Sequence, residues 1–145
     1  MLDKIDVKHA NRLLGIMLSM MKDMDDQGRD LPIRWNIMHM YSSTQLAKLL
    51  ALRRGMDVEQ AAFAATLHDI AVIVDKKTAN HAENAAPHVR DMVRRFNREN
   101  AASDLRIDDQ EEEQLVSAII CHSDKQTRTG DAFIELLKDV DSLDR

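Results

Sequence analysis

The chain has one cysteine, Cys121, so no intramolecular disulfide can form and packing alone must hold the fold. Thiol usage of this kind suits a reducing compartment. Proline occurs twice, glycine four times, and aromatic residues make up only 3%. Such sparse turn chemistry, with so few β-favouring side chains, argues against a sheet protein. No apolar run approaches the roughly 20 residues that a bilayer span needs. Residues 1–6 mix charges too early for a signal peptide, so the cytoplasm is the expected compartment and no membrane partner is expected. Positive charge is also short. A net charge of -5 excludes a general nucleic-acid binder but not a small anion held by a local basic patch.

What the chain does have is 44% hydrophobic residues, mostly Ala, Leu, Ile and nine Met, over 145 positions. That is enough for one domain, residues 1–145, with a core of packed helices. Apolar residues at helical spacing predict a first helix over about 5–25, whose methionines offer a face for a homodimer. Pro32 opens a second helix that runs to Arg54 and stops at Gly55. Asp57 can cap a third helix that carries His68 and Asp69 at its end. A loop follows at 75–80. The next helix is expected near His81, with Pro87 imposing a kink or a late start. Asp108 and Glu111 form a capping-box pattern for a fifth helix, and the sixth follows Gly130. The expected fold is all-α, a compact bundle of about six helices.

The polar residues on these apolar faces carry the chemistry. His39, Leu46 and Leu50 are spaced i, i+7, i+11, and Leu115, Ile119 and His122 are spaced i, i+4, i+7, so two histidines turn inward. His68-Asp69 closes the apolar run 61–67. A carboxylate is misplaced at the negative end of a helix, and a buried charge must be paired or bound to a metal. Each histidine taken alone is more often a hydrogen-bonded core residue than a ligand. Together with Asp69 and the acids Asp139, Asp141 and Asp144, they fit a metal centre inside a helical bundle. Periodicity does not choose among those three acids: Asp144 lies nearest the middle of the apolar stripe, with Asp139 and Asp141 flanking it.

In order and context these residues resemble the HD-domain superfamily of metal-dependent phosphohydrolases, whose signature is His, then His-Asp, then a distant Asp. His39, His68-Asp69 and Asp141 stand in that order. Residues 65–70 resemble the family's "LHDI" segment, 119–123 its "I..HS" segment and 137–145 its "DADRLDA" segment, so the likeness spans about residues 35–145. The resemblance implies that His39, His68, Asp69 and Asp141 hold a divalent ion. Two histidines and two carboxylates favour Mn, Fe, Mg or Co, with Zn and Ni as alternatives. It further implies Asp69 and His122 as catalytic groups, and His81 as a substrate contact or, with His122, a ligand to a second ion. Lys76 and Lys125 fall in loops after the motif elements, where a lysine can clamp a phosphate of the substrate.

Two departures limit the likeness. Val72 stands where many relatives have Lys or an acid, which counts against the cyclic-dinucleotide phosphodiesterase, nucleotidase and alarmone-hydrolase branches. Many small relatives also continue past "DRLDA", so a minimal member or a more open site is expected. The expected function is hydrolysis of a phosphomonoester or nucleotide by a metal-activated water. The alternatives are a non-catalytic nucleotide-sensing or signalling module and a dinuclear enzyme.

Overall fold

Residues 61–67 are apolar on every side, and a helix of that kind must be surrounded. In the computed structural model, which describes residues 6–101 and 106–145, it is. The described elements are α1 (Lys8–Met21), α2 (Ile33–Arg54), α3 (Val58–Leu67), α4 (Ile70–Asp75), α5 (Ala86–Glu99), α6 (Asp109–Cys121) and α7 (Ala132–Asp144), with no strand among the described residues. The fold is all-α, as expected. The expected start of the first helix near residue 5 lies outside the described residues.

The middle of the bundle is α3, packed against α1, α2, α6 and α7. Every residue from Gln60 to Leu67 is buried, and four alanines in that stretch let the neighbours come close. The long α2, its principal neighbour, contributes the small buried residues Ser43, Thr44, Ala47 and Ala51. Thr44 and Thr66 join hydroxyls across this contact at 2.9 Å. Each also donates to the carbonyl four residues back or pairs within the contact, so neither hydroxyl is buried without a partner. Buried side chains from all seven helices form one cluster. No helix among the described residues is long and apolar enough to cross a membrane.

The caps sit where the sequence put them. Asp57 accepts from Gln60 N–H, the Asp108–Glu111 capping box is complete, and Gly55 ends α2 at φ 67°. Two elements differ from expectation. The helix expected near His81 begins at Ala86, because Pro87 fits only the first turn; His81 therefore lies in a turn. A short seventh helix, α4, follows the His68-Asp69 break, driven by burial of Ile70, Ala71, Val72 and Ile73. On α1, Met17 and Met21 are fully buried in the core and Met20 is partly buried against it.

Candidate metal centre

The site is assembled where α2, the α3–α4 break and α7 meet. At that break His68 N–H reaches back to Ala65 O, and Asp69 leaves helical geometry at φ −104°, ψ 20°. The bend swings two adjacent side chains toward one point. His39 comes from α2 and Asp141 from α7, and all four residues are buried.

The four sets of donor atoms face one another. His39 Nε2 lies 2.9 Å from His68 Nε2, 3.3 Å from Asp69 Oδ2 and 3.2 Å from Asp141 Oδ1. His68 Nε2 lies 3.3 Å from Asp141 Oδ1 and 3.6 Å from Asp69 Oδ1. Donors about 2.1 Å from a shared ion stand about 3.0 Å apart at right angles and about 3.4 Å apart tetrahedrally. The observed spacing is that of a coordination shell. Neither Asp69 oxygen has a hydrogen bond of normal geometry among the described residues, though both are buried. A buried carboxylate left in that condition calls for a cation. The donor set therefore fits a divalent ion.

Electrostatics point the same way. Burial disfavours charge on His68, but Asp69 and Asp141 outweigh it and raise its pKa from 6.5 to about 9. Burial alone would raise the Asp69 carboxyl; the charge on His68 and the rings of His122 and His81 bring it well below its usual range. Asp141, likewise opposed by burial, is held low by His39, His68 and Lys125. The site concentrates negative charge in a place that water barely reaches.

Ring orientation is fixed from behind. The Nδ1 atoms of His68 and His122 each lie 2.6 Å from the carbonyl oxygen three residues back, Ala65 and Ile119. His81 Nδ1 lies 2.9 Å from Thr78 O. A carbonyl only accepts, so each Nδ1 donates; a neutral ring then turns its Nε2 lone pair toward the centre, and a charged ring carries its second proton there. His39 differs: its Nδ1 meets Asp144 Oδ2 at 2.6 Å. Of the three terminal acids it is Asp141 whose oxygen faces the other donor atoms, while Asp144 backs His39 and Asp139 pairs with Arg54 on the surface.

A second trio shares Asp69. Its Oδ1 lies 3.3 Å from His81 Nε2 and 3.5 Å from His122 Nε2, and the two rings are 3.1 Å apart. His122 is fully buried and its pKa is lowered by burial; half-buried His81 has its pKa raised by the Asp69 carboxylate that it faces. Outward from His81, a cavity of about 300 Å³ is lined by His81, Ser123, Lys125, Asp141 and Arg145. Lys125 Nζ donates to Asp141 Oδ2 at 2.8 Å and to His122 O.

Among the residues assigned to the site from sequence, the structure brings together His39, His68, Asp69, His81, His122, Lys125 and Asp141. Lys76 is a correction. It caps α4 at φ 69°, and its Nζ donates to Gln27 O at 3.0 Å, lacing two loops together instead of facing the cluster. Sequence reasoning missed Asp144 as the partner of His39, and it missed Arg145. The Arg145 Nε donates to Asp141 Oδ1 at 3.0 Å, and the guanidinium lies over Trp35, whose ring stacks on His39. The available signal was spacing, since Arg145 is one helical turn beyond Asp141.

Fold and donor set define an all-α protein built around a His/Asp cluster able to hold a divalent ion. The family model for the HD domain matches residues 36–145, and the chain belongs to that family of metal-dependent hydrolase modules. Comparison with curated proteins and with solved structures gave no significant match.

Proposed function

We propose that the protein is a metal-dependent phosphohydrolase acting on a phosphomonoester or nucleotide. The observation that carries this reading is the convergence of His39, His68, Asp69 and Asp141 at coordination spacing, beside a cavity lined by Lys125 and Arg145. When bound, a divalent ion supplies Lewis acidity toward a phosphoryl oxygen and makes water acidic enough to attack near neutral pH. Mn, Fe, Mg or Co suits the two-histidine, two-carboxylate set, with Zn or Ni as alternatives. Asp69 stands at the middle of the cluster, where it can orient the attacking water. Its depressed pKa makes it a weak base, so orientation is its larger contribution. His81, charged more readily through Asp69, offers Nε2–H at the edge of the cavity to a phosphoryl oxygen. His122, neutral and deeper, holds the other side of Asp69. The lone thiol fits a cytoplasmic setting.

A second reading is favoured by one specific observation, the trio of Asp69, His81 and His122. With Asp69 facing both trios, the same side chains could hold two ions, and His81 and His122 would then be ligands rather than substrate contacts.

Elemental analysis of protein purified without chelator, together with a phosphate-release screen on the same sample, tests both readings. One ion per chain with turnover of phosphomonoesters is the expected result. Two ions per chain would establish the dinuclear form. Full metal content with no turnover on a broad panel would instead leave a binding module.

A further inference from the structure

Lys125 and Arg145 reach the mouth of the cluster from different elements, the loop before α7 and the end of α7 itself. Lys125 uses two of its three N–H donors, on Asp141 Oδ2 and His122 O. Arg145 uses Nε on Asp141 Oδ1, and its Nη2 stands 3.6 Å from Asp69 Oδ2, beyond hydrogen-bond range. A guanidinium has five donors, so most of its fork is left over. Trp35 holds the guanidinium, 5.9 Å from the ring centroid, and thereby limits how far it swings. Ser123 Oγ, 3.3 Å from His81 Nε2, adds a hydroxyl on the same cavity wall.

We propose that Lys125 and Arg145 form a two-pronged anion subsite at this mouth, selecting a dianionic phosphate monoester over a phosphodiester. Hydrogen bonding favours that choice, because a monoester presents three terminal oxygens to the ion, the ammonium and the fork, and a diester presents two. The two cations at the mouth also attract a dianion more strongly than a monoanion. The cavity, about 300 Å³, accepts the phosphoryl group and the first part of its leaving group. The inference takes its substrate class from the phosphohydrolase reading, but anion binding itself does not depend on turnover.

The test uses the full chain loaded with Mn²⁺ and inorganic phosphate as the probe, with binding followed by calorimetry and metal content measured on every sample. Arg145→Gln and Lys125→Met should each weaken phosphate by about tenfold or more, the scale of one charge-assisted hydrogen bond, while metal content stays at the wild-type level. Arg145→Lys should restore part of the loss, since charge returns without the fork. On p-nitrophenyl phosphate both charge-removing variants should raise KM, with much smaller changes on bis(p-nitrophenyl) phosphate. Wild-type phosphate affinity in both variants, no phosphate binding by the wild-type protein, or a loss fully explained by lost metal would each overturn the proposal. Phosphate bound through Lys125 and Arg145 without hydrolysis would sink the hydrolase reading and leave the subsite standing. Monoester turnover that ignores both substitutions would do the reverse.

Discussion

His68 is fully enclosed, and its Nδ1 is committed to Ala65 O, so its only free function is at Nε2. His68→Ala and Asp69→Ala should therefore reduce phosphate release to assay background and lose metal, while circular dichroism still shows a helical domain. Turnover at the wild-type rate in either variant, with contaminating phosphatase excluded, would rule out the mechanism. Asp144→Asn is a subtler change. It keeps the shape beside His39 Nδ1 but removes the charge, and partners of that kind contribute about 10- to 100-fold in metal affinity. Competition against a metal-sensitive dye should show a loss in that range; an unchanged affinity would mean that Asp144 only packs. At this scale the sequence revealed the residues whose order and neighbours form a pattern. His39, His68, Asp69 and Asp141 are such residues. Lys76 was misplaced because a loop lysine goes wherever a distant carbonyl, here Gln27 O, draws it, and no periodicity encodes that.

The helices were legible where a cap or a breaker marks the boundary and obscure where burial decides. Asp57, Gly55 and the Asp108–Glu111 box set ends that local chemistry alone specifies. The Ile70–Asp75 segment carries β-branched residues with modest helix propensity, and only its buried position makes it α4. Asp57→Ala should cost about 1 kcal/mol, a drop of about 3 °C in Tm by calorimetry, with no effect on metal content. A loss of metal in this variant would show that the cap and the centre are coupled through α3. Ala64→Leu tests the other property of α3, its close approach to its neighbours. Ala64 is fully buried, so extra methylenes there should destabilise by about 1–3 kcal/mol in denaturant unfolding. A neutral result would mean that the packing around α3 has slack.

Metal and fold are linked across the whole molecule through protons. His68 has its pKa raised from 6.5 to about 9, so in metal-free protein its contribution to stability is fully present below about pH 6.5 and is lost as pH rises through about 9. Asp69 and Asp141, both depressed, contribute above their ordinary range near 3.8 and lose that contribution as pH falls. An ion must displace the proton on His68, so its affinity climbs with pH over the window in which metal-free protein weakens. Saturating Mn²⁺ should raise Tm more at about pH 8.5 than at about pH 6.5, and calorimetry should record proton release on binding. Equal increments at both pH values would show that His68 gives up no proton to the ion.

The backing of the four rings also sets an order of failure. His68, His81 and His122 are each aimed by an oxygen three residues away, so their direction is written into stretches of four residues and survives rearrangement elsewhere. His39 is aimed by Asp144, 105 positions distant, across the contact between α2 and α7. Three rings are locally guided and one is a long-range tenant. Any loosening of the last turn of α7 releases His39 first, takes Asp141 with it, and leaves Asp69, His81 and His122 in place.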